Sequence, residues 1–184
     1  MNRTLRMIEL PFGMPRSFAF RSFTFSLFFL SACLLTAQER EVWVFLSEDC
    51  PVSLSQSLEL SDVEEAFGHK FAFHYAFPIA QDESAVRAFM QKAALKGVEC
   101  LIEGAFDKAK ALEATTMPEV FVFNAAGRLV YRGRIDNSFA RVGQRNRGER
   151  IRELYEVLRQ CLEDDDILYR ENKAVGCLIP EHKI

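Results

Sequence analysis

Between residues 41 and 135 short apolar runs alternate with helical stretches, and this alternation confines the chain to a sheet with helices packed on it. Glu41 to Ser47 (Glu-Val-Trp-Val-Phe-Leu-Ser) is rich in strand formers and bounded by polar residues, so it reads as a buried strand. Glu48-Asp49-Cys50-Pro51 makes the turn after it, and proline suits the first position of a helix. That helix is expected to run to about Phe67, with Leu54, Leu58, Val63, Ala66 and Phe67 on or near one face, and to stop at Gly68. Lys70 to Ile79 reads as a second strand broken by Pro78. Ser84 to Lys96 reads as a helix whose Val86, Phe89, Met90 and Ala93 recur at helical spacing, with Gly97 as its stop.

Val98 to Ile102 is then a short strand, Phe106 to Leu112 one or two helical turns, and Glu119 to Asn124 a strand entered through Thr115-Thr116-Met117-Pro118. The turn Asn124-Ala125-Ala126-Gly127 folds Arg128 to Ile135 back antiparallel. Glu149 to Leu162 is the last helix, with Ile151, Leu154, Tyr155, Leu158, Cys161 and Leu162 as its apolar stripe. The tail to Ile184 shows no clear periodicity. The order β-α-β-α-β-(α)-β-β-α implies an α/β domain with a central mixed sheet flanked by helices, which is the thioredoxin plan. In such sheets functional groups gather at the carboxyl ends of the strands, and Cys50 lies at one.

With 184 residues, 49% of them hydrophobic, the chain is long enough for one domain with a substantial core. The net charge of −3, from 23 basic and 26 acidic side chains, carries no nucleic-acid footprint. The Arg141–Arg152 stretch is diluted by Glu149 and reads as a solvated, charge-paired surface.

The N-terminus is of another kind. Arg3, Arg6, Arg16 and Arg21 precede an uncharged apolar run, Phe23 to Leu35, which reads as a secretory signal and is short for a membrane-spanning helix of roughly 20 apolar residues. Leu30-Ser31-Ala32-Cys33 resembles a lipobox that would make Cys33 a lipidated first residue, while Leu35-Thr36-Ala37 offers a plain signal-peptidase site before Gln38. An uncleaved anchor is the third reading. Residues 1–37 are thus read as a leader, 38–165 as the domain and 166–184 as a C-terminal tail. The chain is expected to be exported, periplasmic or extracellular, with membrane attachment only through the leader or a lipid. Export permits disulfides.

Of five cysteines, Cys50, Cys100, Cys161 and Cys177 follow the leader, and with no Cys-x-x-Cys pair they exclude a zinc ribbon. Cys100 and Cys161 read as buried core residues. His69, His74 and His182 are scattered, and no metal or other cofactor is implied.

Three segments resemble the thioredoxin-like redoxin family, the broad group that includes alkyl hydroperoxide reductase and thiol-specific antioxidant domains. They are Phe45-Leu46-Ser47-Glu48-Asp49-Cys50-Pro51-Val52-Ser53, then Pro118-Glu119-Val120-Phe121-Val122-Phe123 continuing through Gly127-Arg128 to Arg132-Gly133-Arg134-Ile135-Asp136, and Lys173-Ala174-Val175-Gly176-Cys177-Leu178-Ile179. The resemblance is to an exported subgroup with an Asp-Cys-Pro turn and covers about residues 41–180. It implies a thioredoxin fold, a nucleophilic Cys50, and a cis Met117–Pro118 peptide facing it. With Pro51, Met117 and Pro118 would bind substrate. The departures limit what carries over. Ser53 stands where a dithiol would have its second cysteine. Trp43 replaces the proline of the peroxiredoxin signature, and Pro118 occupies the place of its arginine, so a full peroxidase is disfavoured.

At a helix N-terminus Cys50 meets unpartnered N–H groups and the positive end of the macrodipole, which lower a thiol pKa. Glu48 and Asp49 oppose this, for a modest net depression. Ser53 either donates to the sulfur or merely caps the helix. Cys177 either reaches Cys50, as disulfide partner or resolving thiol, or docks the tail as a small apolar residue. Arg132, Arg134 and Asp136 share one strand face and read as salt-bridging groups.

The functional expectation is an oxidoreductase acting on protein thiols and disulfides or a small peroxide, in an antioxidant or redox-homeostatic role. Its machinery is Cys50, Ser53 and Cys177. The alternatives are a redox-inactive binding module in which Cys50 is a relic, and metal delivery through Cys50 and Cys177. The leader has its own test. Intact mass of the chain recovered from a producing cell should show loss through Ala37, or through Ala32 with lipid on Cys33. Full-length chain free in the cytoplasm would be the contrary result.

Overall fold

The structure, a computed structural model, describes residues 39–181. The leader reading and His182 lie outside these residues. β1 (Glu41–Phe45), α1 (Pro51–Phe67), β2 (Ala72–Ala76), α2 (Glu83–Lys92), β3 (Glu99–Leu101) and α3 (Ala105–Ala111) form the first half. β4 (Thr116–Met117), β5 (Glu119–Phe123), β6 (Leu129–Gly133), a hairpin of β7 (Phe139–Arg141) and β8 (Gln144–Arg145), α4 (Glu153–Glu163), β9 (Arg170–Glu171) and β10 (Cys177–Leu178) complete it. Among the described residues no helix is long and apolar enough to cross a membrane.

Six strands make the main sheet in the order β3-β2-β1-β5-β6-β9. β1 runs parallel to β2 and antiparallel to β5, so the sheet is mixed as expected. Its alternation sends Val42, Val44 and Leu46 into an apolar layer with residues of α1, α2 and α4, while Trp43 and Phe45 join Ala105 and Ala109 of α3 in another layer. β1 is therefore covered on both faces, which explains an unbroken apolar run rather than an alternating one.

Three expectations need correction. The outer face of α1 carries Leu54 and Leu58, the latter 73% exposed, while Ser53, Gln56, Ser57 and Glu59 face inward. The inward polar groups are answered from below. Gln56 Nε2 donates to Asp136 Oδ1 at 2.6 Å, and Glu59 accepts from Arg150 and Arg152, each at 2.6 Å. Next, α2 ends before Gly97 because the chain turns at Ala94 (φ 55°) to bury Leu95 and to present the Lys96 and Gly97 N–H groups to the Glu64 carboxylate. Last, α4 begins at Glu153 instead of Glu149. Its leading segment is held extended by Asn137, whose N–H donates to Ile151 O while its side-chain oxygen accepts from Ile151 N–H, and Ile151 is left exposed.

The tail, without periodicity in sequence, adds β9 alongside β6 and β10 alongside β4. The strand face of Arg132, Arg134 and Asp136 is salt-bridged as expected, to Glu119, Glu153 and Arg150 respectively. Gly133 lies where β9 leaves the sheet. Its φ is 149°, and a Cβ there would stand 2.2 Å from the Asn172 carbonyl oxygen. Gly133→Ala should therefore destabilise the chain by about 1–3 kcal/mol, the usual cost of forcing a methyl into filled space. Urea unfolding with an unchanged slope is the check, and an unaltered midpoint would contradict it.

Candidate functional site

The register of β1 against β5 builds the site. Phe45 opposes Glu119, so the turn leaving β1 and the loop preceding β5 meet at one end of the sheet. Cys50 ends the first, as N-cap of α1, and Met117–Pro118, a cis peptide, ends the second. The Cys50 Sγ lies 3.2 Å from the Met117 carbonyl oxygen, to which it donates as a thiol. Cys50 is 1% exposed.

β10 brings in the third participant. Cys177 pairs with Met117 in an antiparallel register, and its thiol donates to the Cys50 sulfur at 2.6 Å. Of the two readings of Cys177, contact with Cys50 is what the structure shows. The same residue also packs against Met117 and its apolar neighbours, so it docks the tail as well. The spacing is well inside ordinary non-bonded contact, so the two sulfurs are placed to bond to one another. Ser53 is fully buried, and its hydroxyl accepts from the Ser47 N–H at 3.4 Å. The Ser47 hydroxyl in turn accepts from the Asp49 N–H, which shapes the turn. Pro51 is exposed at the first position of α1.

These contacts separate the two thiols. Burial pushes the Cys50 pKa up, but hydrogen bonds from Cys177 and from the Ser53 backbone and hydroxyl outweigh it and bring Cys50 below the ordinary thiol value. The main opposition is burial rather than Glu48 and Asp49, and the lowering comes from hydrogen-bond donors rather than a neighbouring cation. Cys177 moves the other way, pushed up to about 11 by burial, by its hydrogen bond to Cys50 and by the negative charge that Cys50 acquires. The favoured singly ionised state is thus a Cys50 thiolate accepting from a Cys177 thiol. The Met117 carbonyl works against that state and favours the neutral Cys50.

The other two cysteines stand apart. Cys161 is buried in the core, and burial pushes it up to about 11. Cys100 was expected in the core but is exposed, because β3 is the edge of the sheet.

Residues that sequence reasoning missed complete the surroundings. Val52, Phe139 and Val175 pack around Cys50 and Cys177. Phe139 arrives on the β7–β8 hairpin, whose two very short strands leave almost no pattern to read. A cavity of about 430 Å³ flanks the turn, lined by Glu48, Asp49, Pro78, Ile79 and Asp82 among others, and does not include Cys50.

No protein-family model and no curated protein matches the chain. Solved structures do. A hypothetical protein from Sinorhizobium meliloti aligns with a TM-score of 0.62 at 20% identity, over 79% of this chain and 81% of the other. A conserved protein from Geobacillus kaustophilus gives 0.61 at 18% identity, over 80% of each. The thioredoxin domain of a thiol-disulfide oxidoreductase from Bacteroides vulgatus gives 0.51 at 12% identity, over 68% of this chain and 80% of that one. With the strand order above, these likenesses establish the thioredoxin fold.

Cys177→Ala removes a donor to the Cys50 thiolate and should raise the Cys50 pKa. Iodoacetamide alkylation of Cys50, followed by mass across a pH series, should show its midpoint at higher pH in the variant. A midpoint unmoved or moved down would contradict the assignment.

Proposed function

We propose that the chain is a thiol–disulfide oxidoreductase in which Cys50 is the nucleophile and Cys177 the resolving thiol. The observation that carries this reading is the 2.6 Å contact between their sulfurs, with the two pKa values displaced in opposite directions. A nucleophile ionises first, and a resolving thiol holds its proton until needed.

The proposed cycle is balanced with two electrons and two protons. The Cys50 thiolate attacks one sulfur of a substrate disulfide. That bond breaks, a mixed disulfide forms at Cys50, and the departing substrate sulfur takes up a proton. The Cys177 thiol then loses its proton and attacks the Cys50 sulfur. This releases the second substrate sulfur, which is protonated, and leaves a Cys50–Cys177 disulfide. A small thiol or dithiol reduces that disulfide and closes the cycle. Ser53 donates to the ionised Cys50, while Met117, Pro118 and Pro51 shape the surface on which substrate rests.

Three further points support the reading. The Bacteroides vulgatus neighbour is described as a thiol-disulfide oxidoreductase. The resemblance to exported redoxins fits a leader at the N-terminus and a compartment in which disulfides form. A protein disulfide is preferred over a small peroxide as substrate because hydrogen bonds, with no arginine or lysine, lower the Cys50 pKa.

Insulin reduction with a thiol as electron source tests this. Cys50→Ser should fall to the uncatalysed rate. Cys177→Ser should trap substrate on Cys50 as a mixed disulfide visible by mass. Wild-type rates in the Cys50 variant would overturn the proposal and leave a redox-inactive binding module.

A further inference from the structure

The segment that delivers Cys177 also fills a groove. Residues 176–179 cross the Met117–Pro118 loop, where Cys177 pairs with Met117, Leu178 with Thr116, and the Ile179 N–H donates to the Thr115 carbonyl at 2.9 Å. Side chains alternate as in any strand. Cys177 and Ile179 turn toward the apolar cluster around Trp43, Phe45 and Met117, and Leu178 points to solvent, 77% exposed. Val175 joins Cys177 against Cys50, Val52 and Phe139.

Gly176 is the tightest point. A Cβ there would lie 2.0 Å from the Met117 carbonyl oxygen and 3.0 Å from Pro118 Cδ. Any side chain at this register position collides with the backbone of the loop itself. The strap is nonetheless lightly held. Its ladder is two residues long, and no residue of 173–181 is fully buried. Elements with few buried contacts open at low cost.

Building on the reading of Cys50 as nucleophile, we propose that this strap is an internal stand-in for substrate. The strap holds the β4 edge closed, so an outside chain engages only after the strap leaves, and the contact at Gly176 limits the chains that can replace it to extended polypeptides with a cysteine directly after a glycine. In strand addition the backbone ladder supplies affinity and the alternate side-chain positions supply specificity. Here the pattern is apolar, glycine, cysteine, any residue, apolar, corresponding to Val175, Gly176, Cys177, Leu178 and Ile179. The reacting sulfur takes the place of Cys177 beside Cys50, and the glycine passes under the Met117 carbonyl.

The test uses the full chain carrying Cys177→Ser, so that an adduct on Cys50 persists, with and without Gly176→Ala, which drives the strap off by collision. Ile179→Pro, which removes the N–H accepted by Thr115, frees the strap independently should the first variant misfold. Two synthetic peptides are compared, Lys-Ala-Val-Gly-Cys-Leu-Ile-Pro and its analogue with alanine before the cysteine. Each is activated as a mixed disulfide with thionitrobenzoate. The Cys50 thiolate attacks the peptide sulfur, the activating disulfide breaks, thionitrobenzoate leaves as its thiolate, and the peptide remains bonded to Cys50. Intact mass and digestion locate the adduct.

The strap-freed chain should take the glycine peptide at least roughly fivefold faster than the alanine peptide, the low end of the cost of one extra methyl in filled space. The strap-intact chain should take the glycine peptide markedly more slowly than the freed one. Equal rates for the two peptides, or for the two chains, while the small reagent dithiobis-nitrobenzoate labels Cys50, would overturn this inference and leave the thiol chemistry standing. A Cys50 inert even to that small reagent would overturn both.

Discussion

Everything at the site follows from one antiparallel register, Phe45 opposite Glu119. It is held by the backbone ladder between two strands that lie in the middle of the sheet and contribute Val42, Val44, Val120 and Val122 to one core and Trp43, Phe45 and Phe121 to the other. A slip of one residue would turn one strand over against the other and drive its side chains into the wrong one of the two apolar layers. The core therefore enforces the alignment, and the alignment sets the end of β1 beside the loop before β5. Cys50 and Met117, 67 positions apart in the chain, meet as a consequence of burying valines and phenylalanines elsewhere.

A second constraint orients α1. A helix that starts on Cys50 would ordinarily bury Leu54 and Leu58, yet Gln56 and Glu59 go inward. Asp136, Arg150 and Arg152 meet them there, and hydrogen bonds from Ser138 and Arg150 hold Asp136 below the usual carboxylate range against the opposing effect of burial. Buried charge is tolerated only when paired. The network ties the first half of α1 to the segment between β6 and α4 and keeps the helix from rolling its leucines inward. That roll would carry Ser53 away from the Cys50 sulfur.

The difference between the two thiols is likewise a matter of packing. Cys50 gathers donors from Ser53 and Cys177, while Cys177 is raised by burial and by the Cys50 sulfur to which it donates. Cys50, with more donors aimed at its sulfur, therefore ionises first, and the remaining proton of the pair stays on Cys177. The β10 strap thus supplies a donor to Cys50, covers that residue and occupies the β4 edge at once.

Much of this was legible in the chain itself. The apolar run at Glu41–Ser47, the proline after Cys50, the helical spacing of Val86, Phe89, Met90 and Ala93, and the Asn124–Gly127 turn determined the fold class and placed Cys50 at a strand-to-helix junction, because these are local patterns with periods of two and 3.6. Resemblance added the Met117–Pro118 loop and drew attention to Gly176-Cys177. Sequence placed Val63 and Phe67 of α1 inward but could not decide that Leu54 and Leu58 turn outward, where α2 ends and α4 begins, or that Cys100 is exposed, since each depends on partners distant in the chain: Asp136 and Arg150, Glu64, Asn137, and an unpaired sheet edge. It left the role of Cys177 open for the same reason. A two-residue strand has no periodicity to read, and only the folded β4 edge, offering its backbone groups at one spot, selects the register that sets Cys177 against Cys50.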